Sequence, residues 1–540
     1  MITSRCNLRF FGWLHLVLAT FIIALVSGCS SLPPGANYPK TASTALEHPE
    51  TTKLGSQFQR TANLHDGNSG YRVIPAGVDG FLLRIQLINA AERTLDLQYF
   101  IFHGDETGRL LTEAVLHAAD RGVRIRLLID DGETVSGDEQ ISVLEAHPNI
   151  DIRIFNPFSY RGHVTLFRAT EFMFNISRLD YRMHNKLFVV DNAIALIGGR
   201  NVADEYFQID PQLQLADDDV FAAGPIVGLL SKTFDEFWNS DLAIPIQALS
   251  SQQATRADLN EHRADLSNEH RELKADGVDF VKRIASGEPF QAIIAGELPL
   301  IWAHAQVVYD SPDKKKVESG AMVGRLMQRP VADVAAAVQS ELLMITPFLI
   351  PGQEGMHIFD DLHQRGVHVR ILTNSLESST QLAAHSGYVH FRVPLLNDGV
   401  ELYEIRALLG NNRGSGETTA ISRFGNYSLH AKLFVFDRTK LFIGSMNFDQ
   451  RSMHLNTEIG LIIDSPELAQ QVAARFNAMV QPTNAYQLVL HANDRSGTES
   501  LVWRTQEGGQ TVQYDIEPAR NAWQRLGVRL LSFLPWENEL

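Results

Sequence analysis

Cysteine is almost missing from this chain, with two in 540 residues. Positive charge is also short: 47 Lys and Arg stand against 63 Asp and Glu, for a formal net charge of −16. A general nucleic-acid binder is excluded on that balance, because its affinity comes from cationic side chains neutralising phosphates. A local basic pocket inside an acidic shell stays open. Three catalytic signatures are missing too: the HExxH of zinc hydrolases, the GxSxG elbow of serine hydrolases and the glycine-lysine loop of P-loop enzymes. The 44% hydrophobic and 20% charged composition is neither collagen-like nor disordered. A chain of this length exceeds one ordinary core, so two core domains are expected.

The one long apolar run is at the start. Arg5 and Arg9 precede a mostly apolar stretch from Phe10 to Val26, which ends in Val26-Ser27-Gly28-Cys29. This resembles the lipobox of bacterial lipoproteins. It implies a signal peptide over 1–28, lipidation of Cys29, and a tether or linker over 29–70 that opens with Ser30, Ser31, Pro33 and Pro34. Cys6 would leave with the signal, so the mature chain could form no disulfide and no cysteine metal site. Loss of Arg5 and Arg9 takes the charge from −16 down by two, to −18. Such a surface gains nothing from anionic headgroups, so the anchor itself has to supply membrane affinity. The expected location is membrane-associated in the bacterial envelope, facing the periplasm. The residue after Cys29 is Ser30 rather than Asp, which by the usual sorting rule directs it to the outer membrane.

From residue 71 the chain says the same thing twice. A strand over Thr94–Ile101, a helix over Gly108–Arg121 and strands over Val123–Ile129 and Ile150–Phe155 recur as Glu341–Thr346, Met356–Arg365, Val367–Leu372 and Gly399–Tyr403. Arg121 and Arg365 each open an Arg-Gly-Val-x-x-Arg run, 244 residues apart. This is an internal duplication of an α/β unit, a mixed sheet flanked by helices, over 71–248 and 291–482. Between the units, 249–290 reads as a polar helical insertion on the surface. Its Leu259, Leu266, Leu273 and Phe280 recur every seven residues, too narrow a stripe for a coiled coil. Residues 483–540 read as a hairpin region and a final helix over Asn521–Phe533. Trp523, Leu526, Leu530 and Phe533 share one face of that helix and are expected to pack on the core, with membrane contact as the alternative.

Each unit carries one pattern. His184, Lys186 and Asp191 are followed by Gly198-Gly199-Arg200-Asn201; His430, Lys432 and Asp437 are followed by Gly444-Ser445-Met446-Asn447. Read as strands, each His and Lys emerge on the same face. An imidazole beside an ammonium is awkward in a core and apt for an anion, with Asn201 and Asn447 as further phosphate-binding donors. Two such faces brought together suit a phosphodiester, where catalysis is mostly positioning and charge stabilisation. Without a metal or cofactor, the reaction needs a nucleophile and a proton donor, and two histidines supply both. An attacking imidazole needs a carboxylate on its other nitrogen. Asp217 and Glu458 are expected there, each eight residues before a proline (Pro225 and Pro466). Asp191 and Asp437 end the motif strands and are expected to fix backbone by hydrogen bonds.

The doubled HxK-x4-D-x6-G[GS]-x-N pattern resembles the phospholipase D superfamily, over roughly residues 70–480. The resemblance implies a pseudo-twofold pair of domains, an active site at their interface and a phosphohistidine intermediate with no metal. Its catalytic set falls on His184, Lys186, Asp191, His430, Lys432 and Asp437, with His184 as nucleophile and His430 as acid. Gly198–Phe207 (GGRNVADEYF) and Gly444–Ser452 (GSMNFDQRS) are similar to the bacterial cardiolipin synthases. The closing Glu517, Pro518, Trp523, Arg525, Leu534, Pro535, Glu537 and Leu540 match one branch of them. That implies phosphatidyl transfer between phospholipids, phosphatidylglycerol and in some cases phosphatidylethanolamine, and no nucleic-acid partner. A phospholipase D-type hydrolase releasing phosphatidic acid is the alternative, and a phosphodiesterase or nuclease a weaker one.

Overall fold

The computed structural model describes residues 33–132, 138–162, 164–210, 212–250, 253–275, 289–295, 297–408, 426–492, 499–534 and 539. The expected signal peptide, Cys29, Phe280 and the closing Pro535, Glu537 and Leu540 lie outside these residues.

The first half contributes β1 (Ser69–Ile74), β2 (Thr94–Tyr99), β3 (Arg124–Asp130), β4 (Ile150–Phe155), β5 (Leu187–Val190), β6 (Ile194–Gly198), β7 (Leu213–Ala216), β8 (Asp219–Ala223) and β9 (Ala243–Pro245). The second gives β10 (Ile301–Tyr309), β11 (Glu341–Ile345), β12 (His368–Asn374), β13 (Glu401–Ile405), β14 (Asn426–Leu429), β15 (Leu433–Phe436), β16 (Lys440–Gly444), β17 (Ile459–Asp464), β18 (Ala485–Ala492), β19 (Glu499–Glu507) and β20 (Gln510–Tyr514). Pairing in the first half runs β1-β8-β6-β5-β2-β3-β4-β9, with β2, β3 and β4 parallel and the other pairs antiparallel. The second half repeats this order as β10-β17-β16-β15-β11-β12-β13-β18. The duplication read in the sequence is therefore a duplication of topology. In both copies of the Arg-Gly-Val run a helix ends at a left-handed glycine, Gly122 (φ 93°) and Gly366 (φ 74°), the conformation that costs a glycine least.

Equivalent strands join the halves. Ser69, Gly70 and Tyr71 of β1 pair antiparallel with Ala303, Trp302 and Ile301 of β10, the relation a local twofold imposes. The rest of β10 continues into the second half, so eighteen strands among the described residues form one sheet. One face of both halves packs into a common core. There the helices Ile226–Trp238 and Pro466–Met479 bring Phe234, Trp238 and Phe476 against Val189, Val220, Val435 and Leu461. Burying this apolar surface between the halves fixes their relative position, which is what places the site.

Three peripheral segments depart from, or sharpen, the sequence reading. Residues 33–63 are not a free tether: Arg153, Arg126 and Arg124 donate to the carbonyls of Thr41, Ser43 and Thr44 at 2.7, 3.0 and 2.7 Å, strapping the segment across β3 and β4. The insertion helix Arg256–Ala275 lies on the first half through buried Leu259 and Leu266, with Arg263 paired to Asp120 at 2.7 Å. The final helix Ala522–Leu531 corrects its expectation. Trp523, Leu526, Leu530 and Phe533 face outward, and Val528 is the residue it buries. Helical spacing gathers apolar residues on one face, but it does not say which way that face looks.

Candidate active site

The His-x-Lys triplets precede their strands rather than lying within them, since β5 starts at Leu187 and β15 at Leu433. The reason is the interface. The His184 main-chain N–H donates to Thr457 of the other half at 2.9 Å, and those of His430 and Ala431 donate to Ala216 at 2.8 and 3.0 Å. Each triplet leaves its own sheet to grip the opposite unit.

The side chains cross in the same way. His184 Nδ1 lies 2.9 Å from Glu458 Oε2 and 3.0 Å from Oε1. His430 Nδ1 lies 2.5 Å from Asp217 Oδ2. Each histidine thus takes its carboxylate from the other copy. Lys186 and Lys432 donate to the carbonyls of their own histidines at 2.7 and 2.5 Å, and Lys432 Nζ also lies 2.8 Å from His430 Nδ1. Phe100 stands edge-on to His184 at 5.2 Å and Tyr206 edge-on to His430 at 5.1 Å, walling the two rings.

The three adjacent aspartates divide by partner. Asp217 faces His430, Asp218 pairs with Arg475 of the second half, and Asp219 holds Arg84 and Arg200 at 2.8 and 3.1 Å. Glu458 also accepts from Ser445 at 2.5 Å and Ser452 at 2.9 Å, and its main-chain N–H donates to Asp310. Asp310 is paired with the buried Lys314 at 3.0 Å. The serines, Lys314 and Asp310 escape sequence reasoning, although the Gly-Gly against Gly-Ser difference hints at Ser445. A Cβ on Gly199, the residue matching Ser445, would sit 2.3 Å from Asp217 Oδ1. The shorter Asp backed by Gly and the longer Glu backed by Ser are therefore two consistent ways to fill one position.

Asp191 and Asp437 lie at the far end of their strands, in left-handed turns (φ 51° and 49°). Asp191 accepts from the main-chain N–H groups of Glu92, Arg93 and Thr94 at 2.8–2.9 Å, and Asp437 from those of Gln339, Ser340 and Glu341 at 2.7–3.0 Å. Each pins the start of the neighbouring strand and touches neither histidine. Asp191→Ala is expected to destabilise the fold by about 3 kcal/mol by leaving N–H groups unpaired, and the more exposed Asp437→Ala by about 1 kcal/mol. Denaturant midpoints of the two variants check this, with unchanged kcat in the fraction that stays folded.

Asn201 accepts from the Ile101 N–H at 3.1 Å and donates to the Tyr206 hydroxyl at 2.9 Å, so its amide shapes the wall behind His430. Asn447 is buried, and its Oδ1 has no hydrogen-bond partner among the described residues. Of one group that could gather round a cation, His103, Asp105 and Glu205, Asp105 already caps a helix, accepting from the main-chain N–H groups of Gly108 and Asp204 at 3.1 and 2.8 Å.

Charge in the pocket is finely set. Burial, with Lys186 and Lys432, holds the His184 imidazolium well below the usual range. Burial pushes Glu458 up to about 7. Burial and then Lys432 bring His430 down to about 3, and burial lowers Lys432 to about 8. Asp217 is held below the usual carboxylate range: burial opposes this, and Lys432 and His430 outweigh it. Both imidazoles are therefore neutral in the unliganded site, each with Nδ1 against a carboxylate, and Lys432 Nζ lies 3.2 Å from His430 Nε2.

A duplicated α/β fold with two histidine-lysine faces meeting at the pseudo-twofold defines a phospholipase D-type protein. A sequence profile described as "Cardiolipin synthase, PLD-like domain" matches residues 84–238 and 333–480, and the chain belongs to that family. It is 36% identical over 489 residues, 90% of its length, to cardiolipin synthase C of Escherichia coli, of which it covers 99%. It is 28% identical over 506 residues to an uncharacterized protein of Helicobacter pylori, covering 93% of this chain and 95% of that one. The structure of phosphatidylserine synthase from Haemophilus influenzae superposes with a TM-score of 0.50 at 13% identity, over 80% of this chain and 92% of the other, which speaks for the fold alone.

Proposed function

We propose that this chain is a membrane-associated phosphatidyltransferase that joins phospholipids into cardiolipin through a phosphohistidine. The observation that carries this is the crossed pair of histidine-carboxylate contacts at one interface, His184 with Glu458 and His430 with Asp217. His184 Nε2 attacks the phosphorus of phosphatidylglycerol, and His430, which takes up a proton from solvent at Nε2 as the phosphodiester anion binds, passes that proton to the departing glycerol oxygen. His430 then takes the proton from the hydroxyl of a second phosphatidylglycerol, whose oxygen displaces His184 and yields cardiolipin.

Electrostatics favours this division of labour. Asp217 stays ionised and can stabilise an imidazolium on His430, while Glu458, at about 7, suits a histidine that attacks as a neutral ring. A bound phosphodiester sets one negative charge beside Lys186 and Lys432, and so relieves the repulsion that keeps His430 unprotonated. Membrane attachment through a lipidated Cys29 belongs to the same proposal. A Cys29→Ser chain should lose its lipid modification, and unchanged processing would remove that part.

Incubation of the purified protein with labelled phosphatidylglycerol, with and without phosphatidylethanolamine, tests the reaction. Cardiolipin is the expected product; phosphatidic acid would mean a hydrolase, and no turnover would sink both. The pH profile should be a narrow bell. Activity rises through about 7 as Glu458 ionises to orient His184, and falls through about 8 as Lys432 loses its charge. A kcat/KM that stays level across both values would contradict the assignment of those groups.

A further inference from the structure

Two helices, one in each part of the fold that carries a histidine, have open apolar faces. The tail helix Ala522–Leu531 and the residues after it expose Trp523 (79%), Leu530 (60%) and Phe533 (80%). The helix Thr165–Phe174 exposes Leu166 (71%), Phe167 (56%) and Met173 (68%). Large side chains this open, gathered on two helices, are more than the scattered surface leucines any protein carries.

Both surfaces hang from the strand ends that hold the histidines. Arg168 of the first-half helix donates to the Asp131 carbonyl at 2.6 Å, and the adjoining Asp130 accepts the Met183 N–H, next to His184. On the other side Gln524 donates to the Leu376 carbonyl at 2.6 Å. Two residues earlier, Asn374 clamps the main chain of Leu429, next to His430, at 2.8 Å. Arg451 of the second half reaches Asp180, beyond the first-half helix, at 2.7 Å and the Glu539 carbonyl, beyond the tail helix, at 3.3 Å. Each apolar helix is therefore tied to a segment next to one of the two histidines, which brings both faces close to the site.

Charge says what covers those faces. From Arg520 to Leu534 the chain has Arg520, Arg525 and Arg529 and no acid, within a protein of net charge −16. An apolar face edged with arginine and tipped with Trp and Phe matches the boundary of an anionic bilayer, where rings sit among the acyl chains and guanidinium groups meet phosphates. Among the described residues, no helix is long and apolar enough to cross a membrane.

We infer that the tail helix and the helix Thr165–Phe174 form a docking surface that seats the active-site mouth directly on an anionic phospholipid leaflet. This rests on the reading of the substrate as a phospholipid. It adds how that substrate is reached: the headgroup enters from the leaflet below the site, and the acyl chains need not leave it.

The test uses the full chain bound to vesicles of phosphatidylglycerol and phosphatidylethanolamine with brominated acyl chains. Bromine should quench a fluorescence component that disappears in Trp523→Phe. A variant combining Trp523→Ser, Leu530→Ser and Phe533→Ser, and a second combining Leu166→Ser, Phe167→Ser and Met173→Ser, should each lose about ten-fold activity on vesicles. Both should keep wild-type activity on short-chain phosphatidylglycerol dissolved below its micelle concentration. Trp523 beyond reach of bromine overturns the inference, as does equal loss on both substrates. So does a concentration-dependent dimer that shields Trp523 without lipid, because a second copy would then be the occupant. Quenching in a protein that turns over neither substrate would sink the proposed reaction and leave the docking surface standing.

Discussion

Replacing His184 with alanine is expected to lower phosphatidyl transfer by about ten-thousand-fold or more, and replacing His430 to do the same. The two losses arise differently. His184 sits against Glu458 with Nε2 turned to the pocket, so its removal takes away the atom that would bond to phosphorus. His430 sits against Asp217, and its removal strands the departing alkoxide without a proton. A phosphatidyl substrate with a p-nitrophenyl leaving group separates them, because nitrophenolate departs without an acid. On it, His430→Ala should recover a burst of nitrophenol close to one per enzyme, and His184→Ala should give none. Wild-type protein quenched during turnover should hold an acid-labile, base-stable phosphoramidate on the peptide containing His184. The label on His430 instead would reverse the two roles, and full turnover in either alanine variant would end the two-histidine scheme.

Glu458→Gln and Asp217→Asn are each expected to reduce turnover by about a hundred- to a thousand-fold. The crossing makes the pattern of loss informative. Glu458 belongs to the second half yet orients His184 of the first, so Glu458→Gln should behave like a defect in attack and show no burst on the nitrophenyl substrate. Asp217 belongs to the first half yet serves His430, so Asp217→Asn should behave like a defect in proton delivery, with the burst kept and the second step slow. If each carboxylate served the histidine of its own half, these outcomes would be exchanged. Ser445→Ala and Ser452→Ala are milder versions of the Glu458 change, since each removes one of two hydroxyls bonded to that carboxylate. Their thermal stability should fall little while the acid limb of the pH profile moves upward.

Sequence carried the repeat well because the repeat is local. The helix-ending glycines, the strand alternation and the His-x-Lys spacing are short-range demands of backbone geometry, and the observed strands and helices fall within a few residues of them. The spacing of Asp217 and Glu458 before their prolines was legible for the same reason, since in both halves a strand and a helix cap follow. Which histidine each acid meets was not legible. That depends on how two units face each other, and no local pattern encodes it. The strap over residues 33–63 was missed because arginines on β3 and β4, distant in sequence, hold it. The sequence reading put core packing of the tail helix ahead of membrane contact, and its apolar face proved exposed because amphipathic spacing does not say which way such a face looks. Asp191 and Asp437 show the converse: their position at a strand end suggested a backbone role, and their hydrogen bonds to the start of the next strand fit it.

The strand β10, shared between the halves, has a consequence for the order of events. Because Ile301–Ala303 belongs to one half and His304–Tyr309 to the other, the sheet offers no hinge about which the units could part. Domain opening and closing cannot admit a second lipid beside the first. On that footing donor and acceptor are expected to meet the two histidines in turn, the glycerol leaving before the next headgroup arrives. Initial rates at varied phosphatidylglycerol donor and a distinct alcohol acceptor should accordingly give the parallel reciprocal plots of a double-displacement reaction, with excess donor competing for the phosphatidyl-enzyme.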